Sequence, residues 1–296
     1  MSNILVSIVM ITYGHEKYIE EAINGVFIQK TDFPVELIIA NDNSLDNTDE
    51  IIKKVINKRP LNIEINYTKH KKNLGVIQNF IWSLDQSKGK YIALCEGDDY
   101  WTDEFKLQKQ VDFLEKHNDF SMCFHNALKI FNINDKEEFC KFSSSKEIFL
   151  NDILSGWIIP TASIVFNKNI LPLPKWADQI YSGDMTLALT AITKGKIMYI
   201  NEIMSIYRID TSGTSMSAVL ADKFQFVLKE HIKLFECFLR DNKEHQFVIS
   251  KKIRELKKEL KFQRLKNKNL LYAFLNMPFY FFTKTISSIQ RMIKNG

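Results

Sequence analysis

Tyr91-Ile92-Ala93-Leu94-Cys95-Glu96-Gly97-Asp98-Asp99-Tyr100-Trp101 is the stretch whose reading decides the fold. Residues 91–95 form a short apolar run, which suits a buried strand. The run stops at Glu96, Asp98 and Asp99, three carboxylates within four residues. Crowded carboxylates repel one another and lose hydration, so they need a cation, hydrogen-bond donors or open solvent. Ligation by oxygen alone suits Mg²⁺ or Mn²⁺ rather than zinc. In an open α/β sheet the ligand crevice lies beyond the carboxyl ends of the strands, where this cluster falls. With an extended backbone through 98–99, the two Asp side chains point opposite ways. One can then hold a metal while the other holds a second part of the same ligand. The plainer reading is an acidic turn that also charges the start of the next helix, because Thr102-Asp103-Glu104 is a good helix start.

Working outward, strand and helix alternate. Ile4–Ile11 is apolar and β-branched, which predicts a buried parallel strand that breaks at Thr12-Tyr13-Gly14-His15. Glu16–Gln29 has apolar residues at a helical period. Val35–Ala40 predicts a second strand ending at Asn41-Asp42-Asn43-Ser44, and Asp46–Lys58 a helix with Asp and Thr in its first turn. Ile63–Tyr67 predicts a third strand, and Asn73-Leu74-Gly75 opens a helix that runs to about Gln86. After the acidic turn a helix is expected from Thr102 to about His117. This alternation predicts a mainly parallel sheet flanked by helices on both faces. No GxGxxG follows the first strand, which argues against the usual dinucleotide fold.

Beyond Phe120 the pattern loosens. Phe120–Phe124 and Ile164–Phe166 read as strands, and Lys136–Lys146 as an exposed polar loop. Asp184–Lys194 reads as helix and Lys196–Ile200 as strand, while Met204–Arg208 is apolar and leads to a polar loop, Asp210–Ser215. A boundary near 216 gives a catalytic domain, 1–216, and a helical extension, 217–296.

The chain has 296 residues, 45% hydrophobic and 25% charged, which is ordinary globular composition. Cys95, Cys123, Cys140 and Cys237 are widely spaced with no CxxC pair, which argues against a zinc site or a disulfide framework and fits a reducing cytosol. No basic stretch or cleavage site precedes the first strand, so no signal peptide is expected. Residues 251–296 hold 12 Lys/Arg against 2 Asp/Glu, a net of +10 on a body of −5. Leu270–Phe282 is apolar and aromatic, but shorter than the ~20 residues a bilayer span needs, and Asn276 and Pro278 interrupt it. Together with Ile286, Ile289 and Ile293 it reads as an interfacial membrane contact; packing on the body or a dimer contact is the alternative. Nucleic acid is not an expected partner.

Thr12-Tyr13 after the first strand, Asp42-Asn43-Ser44 after the second and Glu96-Gly97-Asp98-Asp99-Tyr100-Trp101 after the fourth resemble the family 2 glycosyltransferases with the GT-A fold. Ser182-Gly183-Asp184 and Tyr207-Arg208 extend the resemblance, which covers about residues 4–215. It implies an α/β, Rossmann-like GT-A domain that inverts as it moves a sugar from a nucleotide-sugar, usually a UDP-sugar, with Mg²⁺ or Mn²⁺. The acceptor implied is a glycan or a lipid-linked acceptor. By the same resemblance Thr12, Tyr13 and Asp42 fall at the nucleotide, with Asp42 accepting from a base imide N–H. Asp98 takes the ribose or bridges to the metal, Asp99 binds the metal, Arg208 pairs with the diphosphate and Asp184 is the general base. Asp184 also reads as a helix cap. His15 and Lys69 lie in loops at the ligand end. Three positions depart from the family pattern: Asn41 replaces an acid, Glu96 replaces Asp, and Asp210 stands where the family often has His. The expected setting is cytoplasmic and peripheral on the inner face of the cell membrane, in bacterial cell-surface polysaccharide assembly. Two other classes stay open: a nucleotidyltransferase, and a non-catalytic module that binds nucleotide-sugar or glycan.

Overall fold

A computed structural model describes residues 4–132, 135–209 and 224–275, with side chains to Leu265. The 210–215 loop and most of the aromatic tail lie outside the described residues. The chain divides into two compact units, Met1–Lys223 and Phe224–Gly296.

In the first unit the strands β1 (Val6–Thr12), β2 (Val35–Asn41), β3 (Ile63–Lys69) and β4 (Tyr91–Leu94) alternate with α1 (Ile19–Phe27), α2 (Thr48–Ile56) and α3 (Val76–Gln86). All four strands run parallel, in the order β3-β2-β1-β4. Side chains alternate across the sheet. Val6, Ile8 and Met10 share one core with α1, α2 and α4 (Lys106–Lys116). The α3 helix packs on β1 and β2 without joining that core, so the sheet is covered on both faces as the alternation predicts. At the far end of the strands, the buried Glu36 carboxylate accepts from Ser7 Oγ at 2.6 Å, Lys88 N at 2.7 Å and Asn66 Nδ2 at 2.8 Å. Burying a carboxyl group is costly unless it is hydrogen-bonded, and these donors answer both of its oxygens.

The second half of the sheet is mixed. The order continues β4-β9-β6-β10-β5, where β9 is Val165–Asn167, β6 Phe120–Asn132, β10 Lys196–Arg208 and β5 Tyr100–Trp101. The β9 strand is antiparallel to both neighbours, and β5 is antiparallel to β10. Three expectations change here. Residues 136–146 are not one loop: β7 (Asp135–Glu138) folds back on β6, and β8 (Lys146–Ile148) pairs with β10. All four β7 residues are exposed, so no hydrophobic period marks the strand; a Lys129–Glu137 ion pair at 2.9 Å crosses the pairing instead. Residues 196–200 and 204–208 join as one strand, because register shifts in its pairing with β6 carry it through polar Asn201 and Glu202. The helix expected from Thr102 begins at Lys106, because Trp101 is drawn into β5 and Thr102 N donates to Met204 O at 3.0 Å. Among the described residues this unit also has the α-helices α5 (Leu150–Ser155) and α6 (Gly183–Ile192).

The second unit contains α7 (Phe224–Asp241) and α8 (Gln246–Leu275), which pack on each other. Among the described residues no helix is long and apolar enough to cross a membrane.

Candidate active site

The carboxyl ends of β1, β2 and β4 are held together by their turns. Asp42 N donates to Thr12 O at 2.9 Å, and Gly97 N donates to Ile11 O at 3.0 Å. Gly97 has to be glycine: a Cβ there would stand 2.6 Å from Thr12 Oγ1 and 2.9 Å from His15 Nδ1. Thr12 Oγ1 in turn lies 3.1 Å from His15 Nδ1, and His15 Nε2 lies 3.9 Å from Asp98 Oδ2. The buried Thr12 therefore orients His15 towards the acidic turn. Tyr13 stands on the rim, 45% exposed. Gly14, at φ 71°, makes the turn that lets its N–H donate to Ser44 Oγ at 3.1 Å.

Asp42 is buried, and both of its oxygens are engaged. Leu74 N donates to Oδ1 at 2.7 Å and Gly75 N to Oδ2 at 3.0 Å. Asp42 thus ties β2 to the loop that opens α3. Each carboxylate oxygen keeps a further lone pair for a ligand. Lys69 is held by Asp49 at 3.1 Å.

In the acidic turn the carboxylate oxygens of Glu96, Asp98 and Asp99 come within 4.8 Å of one another. Burial, then the Asp98 and Asp184 charges, push the Glu96 carboxyl well above the usual carboxylate range. Burial and the Asp98 charge do the same to Asp99, although Arg208 N donates to its Oδ1 at 2.8 Å. Asp99 Oδ2 is buried with no hydrogen-bond partner among the described residues, while Asp98 keeps a partly open side chain. Hard oxygen donors, mutual repulsion and an orphaned buried oxygen fit Mg²⁺ or Mn²⁺, and Glu96, Asp98 and Asp99 Oδ2 are the atoms that would hold it.

Arg208, which the resemblance pairs with the diphosphate, has its guanidinium engaged by protein groups. Its guanidinium sits 5.0 Å from the Tyr18 ring centroid and 4.5 Å from that of Tyr100, pairs with Glu21 and donates to the Asp98 carbonyl. It clamps the acidic turn to α1. Glu21, Tyr18 and Tyr100 escaped sequence reading, because nothing local links them to residue 208.

Asp184 lies in the first turn of α6. Its Oδ1 accepts from Met185 N at 2.8 Å, and its Oδ2 accepts from Thr161 Oγ1 at 3.2 Å. Burial raises its pKa above the ordinary Asp value. Its charge acts on Glu96, so α6 brings it to the acidic turn. Asp42 and Asp99 thus follow the carboxyl ends of β2 and β4, and the Asp184 charge is felt at the acidic turn.

Beneath the turn, Trp101 Nε1 donates to Ala162 O at 2.7 Å, and Lys106 Nζ sits 3.8 Å from the Trp101 ring centroid. Lys106 is fully buried, and burial pushes its pKa down to about 7. Below pH 7 the folded ammonium stays charged without a hydrogen-bond partner among the described residues. The unfolded chain keeps its lysine proton up to its ordinary value, 10.5. Above pH 7 it therefore binds more protons than the folded chain, so Lys106 makes stability rise with pH. Lys106→Met should remove that rise between pH 7 and 8.5 and stabilise the protein at pH 6 by about 1–4 kcal/mol. Melting temperatures from pH 6 to 8.5 check this; parallel curves for the two proteins would refute it.

An α/β sheet whose first half is parallel, with an acidic cluster and a buried carboxylate at its strand ends, has the architecture of the GT-A fold. The chain belongs to glycosyl transferase family 2, whose model matches residues 7–189. An uncharacterized protein of Mycobacterium bovis is 37% identical over 216 residues, 72% of this chain but 61% of that one. This chain thus spans about three fifths of that relative. The Escherichia coli protein WfaP is 28% identical over 228 residues, 76% of this chain and 84% of its own. It is named a UDP-Glc:alpha-D-GlcNAc-diphosphoundecaprenol beta-1,3-glucosyltransferase. Among solved structures, the mannosyltransferase PcManGT of Pyrobaculum calidifontis, in complex with GDP-Man and Mn²⁺, superposes with a TM-score of 0.56. That match covers 94% of this chain and 83% of PcManGT at 14% identity, a likeness of fold.

Proposed function

We propose that this chain is a Mg²⁺- or Mn²⁺-dependent inverting glycosyltransferase. It moves a sugar from a nucleotide-sugar, a UDP-sugar foremost, to a hydroxyl of a glycan or lipid-linked acceptor in bacterial cell-surface polysaccharide assembly. The observation that carries this reading is the orphaned Asp99 Oδ2 within the Glu96–Asp98–Asp99 cluster. The substrate classes follow the name of the E. coli relative.

Residues 1–216 would do the chemistry. Tyr13 and Asp42 bind the base, and Asp98 reaches the ribose or the metal. A bound divalent ion supplies Lewis-acid stabilisation of the departing diphosphate. Asp184 takes the proton as the acceptor oxygen attacks the anomeric carbon from the face opposite the diphosphate. The new C–O bond forms as the bond to the diphosphate oxygen breaks, and one displacement inverts the carbon. A carboxylate whose pKa is raised by burial is a better base than a free one. Residues 217–296 would attach the enzyme peripherally to the inner face of the membrane, with 268–296 as the interfacial tail.

The test is a melting-temperature screen of UDP-glucose, UDP-N-acetylglucosamine and GDP-mannose, with Mn²⁺ and with EDTA. A ligand at 100 times its Kd stabilises by about 2.7 kcal/mol, a shift of roughly 5 °C or more for a domain of this size. At least one donor should give that shift with Mn²⁺ and lose it in EDTA. No shift with any donor, or the same shift in EDTA, would refute the metal-dependent donor site.

A further inference from the structure

The α8 helix has two unlike faces. Ile249, Ile253 and Leu260 are buried. At roughly 100° per residue, Phe247, Lys251, Arg254, Lys258, Lys261, Phe262 and Leu265 fall on the opposite side, within about 60° of one line. All seven are exposed: Phe247 81%, Phe262 60% and Leu265 50%, with the four cations in the same class. Among the described residues no ion pair engages these four cations, whereas Lys257, off the stripe, pairs with Glu236 at 2.7 Å. Glu255 and Glu259 fall to one side, so the stripe itself holds no carboxylate.

We infer that this outward stripe of α8 binds an anionic lipid surface. From Phe247 to Leu265 it extends along about 27 Å of helix. A solvated helix face gains nothing from exposed phenylalanine and leucine. Set among cations, those side chains suit the boundary between headgroups and acyl chains. Leu265, next to Phe262 at the end of the stripe, favours a lipid over a nucleic acid, because an aliphatic side chain offers no ring to stack on a base. The sequence that follows, Leu270–Phe282, is itself apolar and aromatic. This inference rests on the peripheral-membrane part of the reading above, and it names residues outside 268–296.

The experiment measures the partition of the full chain onto vesicles of phosphatidylglycerol and phosphatidylcholine, and onto phosphatidylcholine alone. The intact protein should bind only the anionic vesicles, and less in high salt. K251E/R254E/K258E should lower that partition at least roughly tenfold, and K251Q/R254Q/K258Q by less, both with unchanged melting temperature. Partition of the charge-reversed variant equal to that of the intact protein would overturn the inference. So would tighter binding to a short single-stranded RNA than to the anionic vesicles. Deleting 268–296 separates the two membrane elements. If only the deletion abolishes binding, the tail reading stands and the α8 stripe falls; if only the charge reversal does, the reverse holds. The Mn²⁺-dependent donor shift, measured on the same preparations, reports separately on the transferase reading.

Discussion

Asp184→Asn should stop sugar transfer while leaving donor binding in place. The substitution keeps the shape of the side chain, and its oxygen can still accept from Met185 N, the 2.8 Å contact that holds the start of α6. What it removes is the site for the proton. A positioned base contributes on the order of 10²–10⁴-fold, so turnover with an acceptor should fall by that factor. The donor's Mn²⁺-dependent thermal shift should persist, because Glu96, Asp98 and Asp99 are untouched. Transfer rates within threefold of the intact enzyme would remove Asp184 as the base. They would leave it as the residue that accepts from Met185 N and Thr161 Oγ1.

Asp99→Asn should act in two opposite directions. At neutral pH the buried Asp99 carboxyl is held well above its ordinary pKa, so the metal-free folded chain binds more protons than the unfolded one. Stability of the metal-free protein therefore falls as pH rises above about 4, and a neutral amide removes that cost. An asparagine can keep the bond from Arg208 N to Oδ1, but it places an amide nitrogen where the orphaned Oδ2 stood. In EDTA the variant should melt at or above the temperature of the original protein at pH 7. Its affinity for Mn²⁺ should drop by more than the ~10–100-fold typical of losing an outer partner of a metal site, and turnover should fall with it. A variant that melts lower in EDTA yet keeps its Mn²⁺ response would assign Asp99 to packing and pass the metal to Glu96 and Asp98 alone.

Some of this was legible in the chain alone because it is local. The apolar run at 91–95 and its abrupt end at three carboxylates mark a strand and a charged turn without reference to any other residue. The alternation of β-branched runs with helical periods from Ile4 to His117 matches the observed β1 to α4, shifted by a few residues. Asp42, Asp99 and Asp184 could be picked out because the motifs that resemble the family fall on them. The polar pairing of β7 was not legible, because a strand with no buried face has no hydrophobic alternation. The role of Lys106 was hidden too. A lysine in the first turn of an amphipathic helix reads as solvated until Trp101 is seen to cover it.

Sequence alone therefore determined the α/β class, the parallel first half of the sheet and the position of the acidic turn, since burial imposes a short-range period on each strand and helix. Tertiary structure alone decided the contacts between distant residues. Arg208 is closed onto Glu21, Tyr18 and Tyr100, Gly97 is pressed against Thr12 and His15, and Asp99 is left with one oxygen unanswered. Those partners lie up to 187 positions apart, and only the stacking of strands β1, β4, β5 and β10 sets the distances that their charges and hydrogen bonds obey.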